Sequence, residues 1–230
     1  MTTKPDFLIV GGGLAGAIAA QTLRDEGFDG RIILLGEEWH APYERPPLSK
    51  DYLQGNTDRD SIFVHPKPWY VDQAIELCLG ARVTSLDPAS RTVTTATGAR
   101  LGYDKLLLAT GSTPRRLGVP GHNLNGVRYL RSVEDSDRLK SAFARARRVA
   151  IIGGGWIGLE TAAAARQAGL DVTLLERSDI PLLHVLGPEA AAIFADLHRD
   201  HGIDLRCQTG VVEVGKGNWC HPERRQPDRY

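Results

Sequence analysis

Asp6-Phe-Leu-Ile-Val10 runs into Gly11-Gly-Gly-Leu-Ala-Gly16, an Ala-rich stretch closes at Gly27, and Arg31-Ile-Ile-Leu-Leu35 follows. This order predicts a buried strand, a tight glycine turn, a helix, and a second strand ending at Glu37. Gly11 permits the sharp turn, Gly13 lets backbone approach a pyrophosphate, and Gly16 brings the helix close to the strand. The N–H groups of the helix start, at Gly13, Leu14 and Ala15, then face phosphate. Glu37, about twenty residues beyond Gly16, is placed to accept hydrogen bonds from a ribose. Glycine-rich turns are common, and here the flanking strand, helix and acid supply the context a dinucleotide fingerprint requires.

The pattern returns. Arg148-Val-Ala-Ile-Ile152 leads into Gly153-Gly-Gly155-Trp156-Ile157-Gly158, a second Ala-rich helix ends at Gly169, and Asp171-Val-Thr-Leu-Leu175 reaches Glu176. A duplicated fingerprint implies two dinucleotides, and the economical pairing is a flavin with a nicotinamide. Glu176 favours the free 2′-hydroxyl of NADH and repels the 2′-phosphate of NADPH; Arg177 beside it keeps NADPH open.

Between the copies, residues 76–100 read as a small antiparallel meander. Tyr103-Asp-Lys-Leu-Leu-Leu-Ala109-Thr110-Gly111 reads as a buried strand whose small closing residues bring backbone close to a ligand edge or simply leave the sheet. Pro42-Tyr-Glu-Arg45-Pro-Pro-Leu-Ser-Lys50 is stiffened by proline, so it holds Arg45 and Lys50 at set positions, either beside a ligand or as a rigid surface loop.

Composition narrows the partners. The 230 residues carry 28 basic and 28 acidic side chains, a balance that argues against nucleic acid and anionic membrane as partners. Residues 7–20 are too short and glycine-broken to span a bilayer. Cys78, Cys207 and Cys220 are widely spaced, which fits reduced thiols in the cytoplasm and gives no metal-site spacing. His198 and His201 lack a clustered cysteine or carboxylate and read as a solvated helix face, so no metal is expected. Arg145, Arg147 and Arg148 read as exposed charge, or as a docking patch for an acidic protein.

Taken together, the glycine turns, the Pro-Tyr-Glu-Arg-Pro-Pro-Leu-Ser-Lys stretch, Ala109-Thr-Gly111, Tyr129-Leu-Arg131 and Gly153-Gly-Gly-Trp-Ile-Gly-Leu-Glu160 resemble the FAD-dependent NADH:ferredoxin reductases of oxygenase and cytochrome P450 systems. The resemblance runs to about Glu213. It implies an α/β chain with two Rossmann-like domains of the three-layer ββα type, an FAD-binding one over 1–114 and an NAD-binding one over 115–213. It further implies that Gly11, Gly13, Gly16 and Glu37 hold the adenosine half of FAD, with Val83 at the adenine and Arg131 at the flavin pyrophosphate. Gly153, Gly155, Gly158 and Glu176 are implied to hold NADH, with Lys50 near the isoalloxazine and Glu160 near the nicotinamide, the two paired as opposite charges. The implied activity passes a hydride from NADH to FAD and single electrons to a ferredoxin-type [2Fe–2S] protein. A rubredoxin as acceptor, or a nucleotide-binding fragment without turnover, remain alternatives. Disulfide reductases of the same superfamily need a cysteine pair soon after the first glycine turn, and no cysteine precedes Cys78.

The family pattern continues further, returning to the FAD domain with an Ala-x-Gly-Asp strand end and adding a C-terminal interface domain. No Gly-Asp dipeptide occurs here, and after Val214 the usage shifts to Arg, Pro, Trp and His. Both domains are therefore expected to be incomplete, residues 214–230 to be an aberrant tail such as a shifted reading frame produces, and activity to be impaired unless a second polypeptide complements the chain.

Overall fold

A computed structural model describes residues 6–215 and the backbone of 220–224. Along the chain run β1 (Asp6–Val10), α1 (Leu14–Asp25), β2 (Arg31–Leu35), a 3-10 turn (Pro46–Ser49), α2 (Asp51–Gln54), a second 3-10 turn (Arg59–Ile62) and α3 (Lys67–Asp72). Then come β3 (Ile75–Cys78), β4 (Val83–Asp87), β5 (Thr92–Thr95), β6 (Arg100–Gly102), β7 (Lys105–Leu108) and α4 (Val133–Phe143). The last stretch holds β8 (Arg148–Ile152), α5 (Trp156–Gln167), β9 (Asp171–Leu175), α6 (Leu183–Asp200), β10 (Ile203–Arg206), β11 (Thr209–Val214) and β12 (Cys220–Arg224). These elements form two compact units. One runs through Arg45 and resumes over Asp58–Thr113; the other takes Pro46–Thr57 and the chain from Pro114.

The first unit is built on a parallel sheet of order β3-β2-β1-β7. Its central strands are continuously apolar because both faces are covered. On one face Ile9, Ile32 and Leu34 pack with Ala20 of α1, Tyr70 and Ile75. On the other, Leu8, Val10, Ile33 and Leu35 pack with Val93 of β5. The antiparallel sheet β4-β5-β6 thus forms the third layer. The predicted meander is present but begins at Val83, since Glu76 lies in β3, paired in parallel with β2 through Ile32↔Ile75 and Leu34↔Leu77. Small residues Gly16, Ala17 and Ala20 form the buried face of α1. Behind that helix the Arg24 guanidinium donates to the carbonyls of Phe28 (2.6 Å), Gly30 (2.9 Å), Gln73 (2.8 Å) and Ala74 (2.8 Å), joining the turns that lead into β2 and β3.

In the second unit a parallel sheet β10-β9-β8 carries a core of Leu159, Ala162 and Ala165 from α5, Leu139 and Phe143 from α4, and Val172, Leu174 and Ile203 from the strands. Leu53, from the 46–57 segment that lies inside the expected first domain, belongs to this core. α6 kinks at Gly187 (φ 75°, ψ 171°), so Pro188 starts a fresh helical segment where its missing N–H costs nothing. β12 pairs antiparallel with β11, placing extended backbone where the sequence showed no strand alternation; residues 216–219 and 225–230 of the expected tail lie outside the described residues.

Candidate functional site

Each unit presents a glycine turn at the carboxyl ends of its parallel strands, where α/β sheets bind ligands. In the first, the Gly11 N–H donates to the Leu35 carbonyl (2.8 Å), and φ is +131°. A Cβ on Gly11 would lie 2.0 Å from the Ala109 carbonyl oxygen, and one on Gly16 would lie 2.1 Å from the Gly11 carbonyl oxygen. The backbone of Ala109 and Thr110 beyond β7 therefore passes so close to Gly11 that residue 11 can carry no side chain. Thr110 and Gly111 beyond are exposed. Gly16 closes α1 onto its own turn as well as onto Leu34 of β2. Gly13, by contrast, has nothing within 4 Å of a built Cβ; α1 has no side-chain cap and no acid in its first turn, and Leu14 beside it is exposed. The helix start thus keeps its N–H groups and positive dipole end free of side-chain ligands, and the residues present fit a pyrophosphate.

The strand expected to end at Glu37 ends earlier. β2 ends at Leu35, and Glu37 lies two residues on, 65% exposed and 3.4 Å from Arg82. Matching the turns by their equivalent bonds, Gly11 to Leu35 and Gly153 to Leu175, puts Gly36 where the second copy has Glu176. A Cβ on Gly12 would stand 2.9 Å from the Gly36 Cα, so residue 12 has to be glycine for the turn to pass the end of β2 this closely. Arg45 is also engaged, ion-paired with Glu38 and donating to the Tyr43 hydroxyl (2.5 Å), which donates to Glu38 in turn (2.5 Å). Val83 opens β4, half-buried.

The second turn repeats the close approach, with a Gly158 Cβ falling 2.0 Å from the Gly153 carbonyl oxygen. Gly155 is open, α5 lacks a side-chain cap and first-turn acids, and Trp156 and Ile157 are exposed at its start. Here the acid does follow the strand directly. Glu176 accepts the Gly154 N–H on Oε2 (2.6 Å) and the Ser178 N–H on Oε1 (2.7 Å), which fixes its carboxylate at the rim of the turn.

Lys50 and Glu160, expected to pair, do so: Lys50 Nζ lies 2.8 Å from Glu160 Oε1, within the second unit. The sequence reading missed what surrounds them. The Ser49 hydroxyl donates to Glu160 Oε2 (2.5 Å), Ser136 of α4 donates to the Leu48 carbonyl (2.9 Å), and the Tyr52 hydroxyl donates to Asp137 (2.6 Å). Lys140 stands over the Tyr52 ring at 3.3 Å. Ser49 lies in the Pro-Pro-Leu-Ser-Lys stretch, but its acceptor is 111 positions away, so no local spacing reveals the bond. Arg131 sits at the start of α4, its N–H donating to Asp135 Oδ2 (3.0 Å) beside the capping box of Ser132 and Asp135. Burial raises the Asp135 pKa, but the Ser132 N–H, Arg138 and the Arg131 N–H outweigh it and hold this carboxyl below the usual range.

Burial pushes the Cys78 and Cys207 thiols up, leaving these two poorly nucleophilic. Among the described residues no group of His, Cys, Asp and Glu is gathered to hold a metal ion, and no helix is long and apolar enough to cross a membrane.

The chain is similar to proteins of known identity. The chain is 48% identical over 209 residues to the 5,5'-dehydrodivanillate O-demethylase ferredoxin reductase subunit of Sphingobium sp., covering 91% of this chain and 51% of that protein. It is 43% identical over 208 residues to rhodocoxin reductase of Rhodococcus erythropolis, covering 90% and 49%. The solved covalent putidaredoxin reductase–putidaredoxin complex superposes with a TM-score of 0.88 at 37% identity, over 93% of this chain and 52% of that one. The chain thus spans about half the length of the curated relatives it matches. With residues 5–221 matched by the family's sequence model, past the Glu213 at which the motif resemblance stops, the chain belongs to the pyridine nucleotide-disulphide oxidoreductase family.

Proposed function

We propose that this chain carries the dinucleotide-binding portion of a flavin-dependent NADH:ferredoxin reductase, a cytoplasmic electron-transfer enzyme. The observation that carries the reading is the duplicated glycine turn, one per unit, each opening an uncapped and acid-free helix start. Family resemblance and the names of the relatives supply the reaction class. In this reading, residues 1–114 form the FAD-binding domain and 115–213 the NAD-binding domain, with 46–57 an excursion that packs among the latter.

Bound FAD supplies the conversion of a two-electron donor into a one-electron source. The chain's residues bind and orient. Gly11, Gly13, Leu14, Ala15 and Gly16 bring backbone N–H groups to the FAD pyrophosphate, Glu37 takes the adenosine ribose, and Val83 and Ala109 to Gly111 line that side. Gly153, Gly155, Trp156, Ile157 and Gly158 do the same for NADH, and the immobilised Glu176 carboxylate favours a ribose hydroxyl over a phosphate. Glu160, joined to Lys50, places a fixed charge pair beside the nicotinamide.

The test is incubation of the chain with FAD, NADH and ferricyanide, then with ferredoxin or rubredoxin in place of ferricyanide. Sustained NADH oxidation with preferential transfer to a [2Fe–2S] ferredoxin supports the proposal, and faster reduction of rubredoxin would move the assignment to that acceptor. Nucleotide binding without oxidation would reject turnover by this chain and assign it as a binding portion needing further polypeptide.

A further inference from the structure

We propose that Ser49 is a positioning residue for the Lys50–Glu160 pair, its buried hydroxyl fixing the carboxylate that in turn holds the Lys50 ammonium; this rests on the reading of that pair as the charged group beside the nicotinamide. Glu160 has two carboxylate oxygens, and adjacent residues hold both: Lys50 on Oε1 at 2.8 Å and Ser49 on Oε2 at 2.5 Å. The three groups are graded in exposure. Ser49 is 4% exposed, the Glu160 side chain 23% and the Lys50 side chain 47%.

That gradient assigns the roles. A lysine reaching half into water swings freely, and an ion pair at the surface holds it weakly. A hydroxyl locked in the interior and donating to the far oxygen of the same carboxylate removes the rotation by which Glu160 would follow the lysine outward. Hydrogen bonds to an ionised acceptor are the stronger ones, and a chain of them reinforces its members. The Ser49 hydroxyl also has a carbonyl, that of Pro46, at 3.4 Å; its single proton goes to the shorter, charged acceptor. Ser49 is itself held, because Leu48 accepts from Ser136, which is fully buried, and Tyr52 donates to Asp137. The anchor therefore runs from α4 through residues 46–52 to α5, and only its last atom, the Lys50 nitrogen, is offered to a ligand.

The experiment uses the chain as it stands and needs no nucleotide. The acylation rate of Lys50 by an N-hydroxysuccinimide ester is read by peptide mass spectrometry against the exposed Lys67 and Lys105 as internal references, in wild type, S49A, E160Q and the double variant. S49A and E160Q each raise the relative Lys50 rate several-fold, and S49A adds nothing once Glu160 is Gln, because Ser49 acts through that carboxylate. If S49A raises the rate equally in both backgrounds, the hydroxyl merely stiffens the segment, and the proposal fails. If S49A leaves Lys50 unchanged while E160Q frees it, or if neither frees it, the proposal is likewise overturned. S49C keeps the shape with a weak donor and gives the same comparison should S49A lose its cooperative melt. Failure of NADH oxidation in the preceding assay leaves this outcome untouched, so the two readings fall separately.

Discussion

Replacing Glu176 by Gln removes one charge and one acceptor from a position where the backbone claims two acceptors. The Gly154 and Ser178 N–H groups bond to different oxygens of the carboxylate, at 2.6 and 2.7 Å. A glutamine amide satisfies one of them and turns its own NH2 toward the other, whichever way it is flipped. The loss is one charge-assisted hydrogen bond, about 1.5–3 kcal/mol, eased by solvent at this half-buried rim to roughly 2 kcal/mol. For a chain of this size that lowers the second unit's melting temperature by about 4–8 °C. At the same time the repulsion against a 2′-phosphate disappears, so the ratio of NADPH to NADH dissociation constants falls by roughly tenfold, equivalent to about 1.4 kcal/mol. Scanning calorimetry reads the first effect and titration with both coenzymes the second. An E176Q chain that melts with wild type and keeps the wild-type coenzyme ratio would refute both the clamp and the proposed ribose site.

Elsewhere the same reasoning gives three expectations. Arg24→Ala strips a guanidinium from four carbonyls and should destabilise the first unit by about 3 kcal/mol in urea unfolding, with Arg24→Lys recovering less than half because an ammonium cannot span the fork; a variant within about 0.5 kcal/mol of wild type would contradict this. Tyr70 is buried and, among the described residues, its hydroxyl has no partner, while burial alone pushes its pKa up. Tyr70→Phe should therefore be neutral or stabilising by about 1 kcal/mol, and a loss of that size would reveal a partner. The depressed Asp135 pKa contributes stability that is present above the ordinary carboxyl range, about pH 4, and is lost as pH falls through the lower folded value. Asp135→Asn should flatten the fall in stability of the wild-type chain between about pH 5 and 3, and an unchanged acid limb in denaturation curves would remove Asp135 from that role.

Much of the architecture could be read from the chain alone because the signals were short-range. Val10-Gly11 and Ile152-Gly153 mark strand-to-turn junctions within a few residues, and Gly16 and Gly158 each answer to a carbonyl five positions back. β3 escaped because Ile75-Glu-Leu-Cys78 carries no pattern separating it from the meander that follows; only its pairing with β2 places it. The end of β2, expected at Glu37, falls at Leu35 for a similar reason: the bonds that close the strand, Gly11 to Leu35 and Gly36 to Cys78, join partners that a count along the sequence does not see. The Lys50–Glu160 pair was reached through the family resemblance, whereas Ser49, Ser136 and Tyr52 act on partners 85 to 111 positions away, which neither spacing nor composition encodes.

The chain passes between its two units three times, at 45/46, 57/58 and 113/114. During synthesis the 46–57 excursion emerges well before α4 and α5, so Leu53 and Tyr52 have no core to enter and Ser49 no carboxylate to meet until Glu160 has been made. The second unit therefore cannot complete its core from its own contiguous stretch. A single cut after Thr113 would not yield two independent pieces: it would leave the excursion tethered to the wrong fragment, and with it both residues that hold Glu160.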